Sequence, residues 1–305
     1  MPLAERQARR MRPSRSPNLR APALVHGWRH VHQIQGVAHH PLAADPGQTM
    51  RLDVVPRTLF DDLKISVLFS TRLPLGHAFA IGGADVARAS WALPLAGVLV
   101  GLVGAAAYWL AHAAGLPSLS AAALALAATL LATGCLHEDG LADVADGFGG
   151  GATRERKLAI MHDSRIGAYG TCALILSLLL RAAAVASLVE PVAVAAALIA
   201  AHASARAAMP LLMWLVPQAR TDGLSADAGR PPFASVIAAG LLAAIALGVG
   251  LDHRAAIIAV LLLAAAVAFM AWLCRRQIGG QTGDVLGALE QVSEALVLLT
   301  AASQV

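Results

Sequence analysis

Long hydrophobic segments separated by polar connections make up most of the chain after residue 90. A helix needs roughly 20 apolar residues to cross a bilayer, and continuous apolar runs indicate helices, whereas the strands of a β-barrel alternate. We therefore predict an all-α fold, a polytopic membrane bundle of about seven transmembrane helices. The predicted spans are 91–114, 117–136, 170–189, 192–216, 233–251, 254–273 and 284–302.

Three connections between the predicted spans are longer and polar: 137–169, 217–232 and 274–283. Seven alternating spans would put all three on one side of the membrane. That side then holds Arg154, Arg156, Lys157, Arg165, Arg220, Arg230, Arg275 and Arg276, and the other side only Arg254. Because Lys and Arg favour the cytoplasmic side, we predict that these connections, and an active site built from them, face the cytoplasm.

The composition also indicates a membrane protein, since 57% of the residues are hydrophobic and 14% are charged, against about 25% charged in soluble domains. The net charge of +4 comes from the Arg-rich first 49 residues, and we infer no nucleic-acid partner from it. Residues 1–49 are predicted to be a disordered basic arm, or a segment before a true start at Met50. Residues 50–305 are the predicted membrane-embedded domain, whose first helix has one apolar face formed by Leu59, Leu63, Val67 and Leu68.

The most polar stretch in this apolar background is 136–170. Asp139, Asp143 and Asp146 follow at spacings of four and three, which places three carboxylates on one face of a helix. Such carboxylates repel each other unless a cation lies between them, and oxygen ligands of this kind suit Mg²⁺ or Mn²⁺. We predict that they hold such a metal; the alternative is a solvated acidic helix face.

Glycine and basic residues follow the acidic helix. The run 147–151 is expected to end that helix and to let backbone approach a ligand, although a flexible linker has the same composition. In 160–167, Arg165 is a candidate for bidentate phosphate binding beside Ser164, and Asp163 for a metal ligand or orienting partner. The alternative is an Asp163–Arg165 surface ion pair, which contributes little.

A second glycine-rich connection precedes the last span. Gln281 and Thr282 lie among three glycines, and backbone amides just before a helix can bind phosphate oxygens. Asp284 is then either a further metal ligand or the N-cap of the last helix.

Charged and polar side chains inside the spans mark functional or bundle-facing positions. Arg206 is a candidate substrate contact, in a cavity or at the membrane interface. Glu290 and Glu294 stand one turn apart and are candidate partners for Arg181 or Arg206, or for the same polar cavity.

Three motifs together resemble cobalamin synthase, the adenosylcobinamide-GDP ribazoletransferase family of the bacterial inner membrane. They are His137–Gly147, Ile160–Gly167 and Gly279–Asp284, and Thr71–Pro74 and Pro94–Gly97 are similar to the family too. The resemblance covers about 55–302. Glu138 departs from it, because the family usually has an apolar residue there; this carboxylate could add a ligand or face water.

The resemblance implies a Mg²⁺-dependent transferase that completes the nucleotide loop of coenzyme B12. Adenosylcobinamide-GDP condenses with α-ribazole, or its 5′-phosphate, and GMP leaves. The three aspartates of the acidic helix would hold one or two Mg²⁺ ions, and Arg165 would steady the phosphates. The 5′-hydroxyl of the ribazole would attack phosphorus and lose its proton to Asp163, to one of the three aspartates or to His137.

Two other functions fit parts of the pattern. A CDP-alcohol phosphotransferase acting on lipid also spaces aspartates along a helix at the membrane surface, but its pattern continues with Ala-Arg where this chain has Gly-Gly-Gly. An ion-coupled transporter would place carboxylates near mid-membrane on broken helices. Arg206 and Glu290 lie inside predicted spans and are compatible with this alternative. The expected partners are the two substrates and the lipid bilayer, and the sequence leaves self-association open.

Overall fold

The computed structural model describes residues 58–73, 82–221 and 224–304, without the side chains of 224 and 225. The predicted arm, 1–49, and the proposed start at Met50 lie outside these residues. The described chain is all-α, as predicted. Its α-helices are α1 Leu59–Ser70, α2 Gly83–Ala89, α3 Leu93–Ala113, α4 Ser118–Thr133, α5 Leu136–Gly150, α6 Arg154–Met161, α7 Ala168–Leu188, α8 Pro191–Leu215, α9 Leu224–Ala228, α10 Phe233–Gly250, α11 His253–Ile278 and α12 Gly283–Ala302.

These helices confirm the polytopic membrane bundle. Six segments of the described chain are long and apolar enough to cross a bilayer: Gly83–Ala113, α7, α8, α10, α11 and α12. The pair α4 and α5 would be a seventh, but it is bent by 91°. Gly134 and Cys135 form the bend, with left-handed φ values of 66° and 58°. The predicted span 117–136 therefore ends at this bend, and α5 turns away to lie across the starts of α7 and α12.

The two central helices of the bundle are α8 and α12. In the most apolar continuous segment of 18 residues in each helix, 72% of the residues are buried, compared with 22% in α7. α8 is rich in Ala, and α3 approaches it closely at Gly97 and Gly101. A Cβ on Gly97 would lie 2.2 Å from the His202 carbonyl oxygen, so only glycine lets the two backbones come this near. Charged residues on α8 and α12 therefore lie deep in the protein.

The apolar face predicted for α1 is partly wrong. Leu59 is 72% exposed, whereas the polar Asp62 and Ser66 are buried. Asp62 accepts hydrogen bonds from Arg88 at 2.8 Å and from Trp91 Nε1 at 3.1 Å, and Ser66 donates to a backbone carbonyl of α2 at 2.7 Å. These partners precede α3, so the periodicity of α1 alone could not reveal which face they cover.

The three polar connections meet at one end of the bundle, as predicted. The connections before α10 and before α12 form an isolated parallel β-bridge. In this bridge Ala219 N–H donates to the Gln281 carbonyl at 2.8 Å, and Gln281 N–H donates to the Pro217 carbonyl at 2.9 Å. Arg154 of α6 adds a hydrogen bond from its guanidinium to the Ala219 carbonyl at 3.1 Å. Segments far apart in sequence are thus held together where the polar motifs lie.

Candidate active site

The acidic face lies on α5, which is helical as the spacing of its aspartates predicted. α5 crosses the start of α12 closely because both helices have glycine there. A Cβ on Gly140 would lie 2.7 Å from the Asp284 carbonyl oxygen and 3.2 Å from Gly287 Cα. The crossing brings Asp139 and Asp143 into electrostatic range of Asp284. We call Asp139, Asp143 and Asp284 the acidic cluster.

The carboxylates of the acidic cluster disfavour each other's charge. Partial burial, followed by the charges of Asp139, Asp284 and Asp146, raises the pKa of Asp143 to about 8. A divalent cation would neutralise this excess negative charge, and three carboxylates are a donor set that suits Mg²⁺. Among the described residues, the ligand atoms of the cluster do not all lie within 4.8 Å of one another.

Asp146 has a different environment from the other aspartates of α5. Its carboxylate accepts hydrogen bonds from the N–H groups of Gly167, at 2.6 Å, and Gly170, at 2.9 Å. It thereby caps the start of α7, where backbone N–H groups lack helical partners and the helix dipole favours an anion. A Cβ on Gly170 would lie 2.4 Å from this carboxylate. Both oxygens of Asp146 thus join α5 to α7.

The glycine run 147–151 is close-packed, so the linker alternative is wrong. α5 continues through the run as far as Gly150, and Gly151, the last residue of the run, is its C-cap. A Cβ on Gly147 would lie 2.4 Å from Met161, and one on Gly149 would lie 2.8 Å from the Tyr169 ring. The glycines therefore let α6 and the start of α7 pack against the backbone of α5.

Thr282 and Asp284 have separate roles at the start of α12. The N-cap is Thr282, whose hydroxyl accepts from Val285 N–H at 3.4 Å and donates to Asp284 Oδ2 at 3.2 Å. The alternative that Asp284 is the N-cap is therefore wrong, and its carboxylate is oriented by Thr282. Gln281 is buried, and the N–H groups of Gly279 and Gln281 donate to protein carbonyls. Two of the amides expected to bind phosphate are thus already used.

Two basic groups that the sequence did not single out as site residues lie beside the acidic cluster. The Arg220 guanidinium is within electrostatic range of Asp143 and Asp284, and His162 is within range of Asp284. Arg220 Nη2 donates to the Leu158 carbonyl at 2.6 Å. The sequence signal for Arg220 was its position in a polar connection predicted to converge with the others, and His162 lies in the Ile160–Gly167 motif.

Asp163, Ser164 and Arg165 lie on the surface. Arg165 Nη2 is 2.6 Å from Asp163 Oδ2, and the Arg165 side chain is 86% exposed. Hydrogen bonds from Arg165 lower the pKa of Asp163 to about 2, which makes this carboxylate a weak proton acceptor while the pair lasts. Ser164 is exposed too. The structure shows the surface ion pair given above as the alternative, and contact of these residues with substrate stays a prediction.

A second group of charged residues forms a buried network between α5, α7, α8 and α12. Arg181 Nη1 lies 2.9 Å from Glu294 Oε1 and 3.3 Å from Glu138 Oε1, and Arg206 Nη1 lies 2.7 Å from Glu290 Oε1. The predicted pairing of Glu290 and Glu294 with the two arginines is confirmed. Glu138 neither faces water nor joins the acidic cluster, since it shares Arg181 with Glu294.

The buried network contains two residues that were predicted to act in the site. Arg206 is fully buried and also donates to the His202 carbonyl at 3.1 Å. His137 is buried, with its Nδ1 3.6 Å from Glu290 Oε2. The structure brings neither residue to the acidic cluster. The substrate contact of Arg206 and the proton transfer to His137 are therefore predictions that this geometry does not support.

The described residues include one trio whose ligand atoms all lie within 4.8 Å of each other: His202, Glu290 and Glu294. A cation already lies among them, because Arg206 Nη1 is 2.7 Å from Glu290 Oε1 and 3.2 Å from His202 Nδ1. The guanidinium takes the place that a metal ion would need. We assign no metal to this trio.

Replacing Gly140 by Ala is expected to separate α5 from α12. The new methyl would meet the Asp284 carbonyl oxygen, which is backbone and cannot rotate away. We expect a loss of about 1–3 kcal/mol in stability, as in other overpacked interiors, together with slower turnover, measured by thermal unfolding in detergent and by initial rates. Gly240→Ala is the matched control, since nothing lies within 4 Å of that helical position. Equal melting of the two variants would contradict the close crossing.

Comparison with known proteins indicates a family for this chain. The family model described as Cobalamin-5-phosphate synthase matches residues 62–302. The adenosylcobinamide-GDP ribazoletransferase of Bradyrhizobium diazoefficiens is 53% identical over 247 residues, covering 81% of this chain and 95% of the relative. Its counterpart from Mesorhizobium japonicum is 53% identical, covering 82% and 96%, and that from Azorhizobium caulinodans is 47% identical, covering 78% and 94%. No solved structure matches.

Proposed function

The chain belongs to the cobalamin-5-phosphate synthase family and is a transferase of the final assembly of cobalamin, and we propose that it joins adenosylcobinamide-GDP to α-ribazole, or to α-ribazole 5′-phosphate, and releases GMP. The observation that carries the proposal is the close crossing of α5 and α12 at Gly140, which brings Asp139 and Asp143 into electrostatic range of Asp284 and of the Arg220 guanidinium. Carboxylates from two helices and a nearby cation are the groups that transfer of a substituted phosphate requires.

We propose that Asp139, Asp143 and Asp284 hold Mg²⁺, or Mn²⁺ in its place. The raised pKa of Asp143, caused first by burial and then by the neighbouring carboxylates, supports this assignment, because a cation would offset both the lost hydration and the repulsion. When bound, the metal would neutralise the charge of the diphosphate. Thr282 orients Asp284 for this role through its hydroxyl, and Asp146 fixes α5 against α7.

The reaction is a displacement at phosphorus. An oxygen of the ribazole ribose bonds to the phosphorus attached to cobinamide, the bond from that phosphorus to the GMP phosphate oxygen breaks, and the hydroxyl proton passes to a carboxylate. A product that keeps a phosphate on its 5′ oxygen cannot also be joined through that oxygen. We therefore assign the attack to another ribose hydroxyl, in place of the 5′-hydroxyl expected from the sequence. A carboxylate of the acidic cluster is better placed than His137 to accept the proton, because His137 belongs to the buried network.

We also propose that the protein lies in the bacterial inner membrane and that its acidic cluster faces the cytoplasm. The polar end of the bundle has the excess of Lys and Arg that favours this side. Soluble, charged substrates and GMP could then enter and leave without crossing the bilayer. The proposal requires no ion gradient, which separates it from the transporter alternative.

GMP release by the purified protein in liposomes tests the proposed reaction. With adenosylcobinamide-GDP, α-ribazole and Mg²⁺, we expect GMP and a cobalamin product in equal amounts, without any ion gradient. EDTA should reduce the rate to background, and added Mg²⁺ should restore it, because the carboxylates alone repel the diphosphate. Omitting α-ribazole is the control. Folded protein that releases no GMP with Mg²⁺ or Mn²⁺, or releases it only under a gradient, would contradict the proposal.

A further inference from the structure

Most basic side chains at the polar end of the bundle are held by other parts of the protein. Arg154 donates to the Ala219 carbonyl, and Lys157 donates to Gln277. Arg275 donates to a backbone carbonyl of α8. Arg165 is paired with Asp163 on the surface. Each of these four side chains thus already has a partner on the protein.

Arg220 is different because its charge acts on the acidic cluster without contacting it. The guanidinium is in electrostatic range of both Asp143 and Asp284. Within the described residues, however, it forms no ion pair within 4 Å, and its hydrogen bond is the one to Leu158. An arginine in direct contact with the carboxylates would compete with a metal for them. An arginine that is near the carboxylates without contacting them leaves space for both a metal and an anion.

The position of Arg220 is fixed before any ligand binds. The Leu158 carbonyl holds Nη2, and the β-bridge holds the backbone one residue before Arg220. One of the five guanidinium N–H groups is used in this way, and among the described residues the others have no recorded acceptor and suit a planar, bidentate contact with phosphate oxygens. A preorganised donor needs no rearrangement as negative charge develops, which is the condition under which such donors contribute most.

We propose that Arg220 is a further substrate-binding residue, whose guanidinium holds the diphosphate of the nucleotide substrate opposite the acidic cluster. The assignment rests on the proposed function. In the displacement, the bond to the GMP phosphate oxygen breaks and negative charge moves onto the leaving GMP. Arg220 neutralises that charge, while the ribazole binds elsewhere and is not contacted by it.

Initial rates of GMP release by Arg220→Ala and Arg220→Lys test this role. For Arg220→Ala we expect kcat/KM for adenosylcobinamide-GDP to fall on the order of 10²–10³-fold, as when a charge-stabilising donor is removed. The KM for α-ribazole should change less than about twofold. Arg220→Lys should keep part of the activity, since it keeps the charge but loses the bidentate contact. Added guanidinium should partly rescue Arg220→Ala.

Arg230→Ala is the matched control, because Arg230 is in the same connection but stacks on Trp214, 4.4 Å from the ring centre. We expect it to keep kcat/KM within about twofold of wild type. Wild-type turnover with an unaffected Arg220→Ala would overturn the assignment and leave the proposed function in place. Equal losses for both substrates, with lower melting and no rescue, would show a structural role for Arg220 instead. Wild-type protein that releases no GMP would remove the proposed function and this role with it.

Discussion

Asp143→Asn is expected to abolish GMP release while the bundle stays folded. The change removes one negative charge and keeps the size of the side chain, so the packing of α5 on α12 is preserved. If the acidic cluster holds Mg²⁺, loss of a ligand should cost several kcal/mol of transition-state stabilisation, or about 10³-fold in kcat. Initial rates at saturating substrate, with Mg²⁺ titrated over a wide range, measure the effect.

The melting temperature separates this effect from misfolding. The folded protein binds a proton at Asp143 more tightly than the unfolded chain does, since its pKa rises from 3.8 to about 8. Without metal, the wild type should therefore lose stability as the pH rises from about 4 to about 8, and Asp143→Asn should lose less. Added Mg²⁺ should raise the melting temperature of the wild type and not that of the variant.

Glu155→Gln is the control for charge, because Glu155 is an exposed carboxylate at the start of nearby α6. It should turn over at the wild-type rate. Folded Asp143→Asn protein that kept turnover and its Mg²⁺ response would rule out Asp143 as a metal ligand. Asp146→Asn should differ from both, because it weakens the cap of α7 and lowers the melting temperature even without metal.

Sequence spacing predicted the acidic helix correctly because the argument is local: residues four and three apart share a helix face wherever the helix lies. It could not separate Asp146 from Asp139 and Asp143, since the difference is the start of α7 that lies against Asp146 alone. Sequence spacing also could not decide whether Thr282 or Asp284 is the N-cap. Both residue types cap helices, and only the observed start of α12 decides between them.

The buried charges show the same limit at longer range. Their presence in the spans predicted either a bundle-facing or a functional role. Choosing between the two required the crossing of α5, α7, α8 and α12, which brings Arg181 within 3.3 Å of Glu138 and within 2.9 Å of Glu294. Arg220 was missed for the opposite reason. It lies in a connection without a motif of its own, and its importance comes from the β-bridge that carries it to the acidic cluster.

Arg206→Met is expected to destabilise the protein strongly without acting through substrate binding. Arg206 and Arg181 are the two guanidiniums that offset three carboxylates in the buried network. Removing Arg206 leaves Glu290, which is fully buried, without its cation. Breaking a buried pair in this way typically costs about 3–5 kcal/mol, and thermal unfolding in detergent should show it directly.

The double variant Arg206→Met with Glu290→Leu decides whether the loss comes from the unpaired charge. Two apolar side chains of similar size leave neither charge uncompensated, and replacements of this kind are often close to neutral. We expect the double variant to melt near the wild type, whereas each single variant melts well below it. Arg254→Met, which removes an exposed arginine, should change stability by less than about 0.5 kcal/mol. Arg206→Met could instead melt like the wild type and raise only the KM for adenosylcobinamide-GDP. Arg206 would then be a substrate contact, as the sequence indicated. In that case the buried network would have to open to the acidic cluster during turnover.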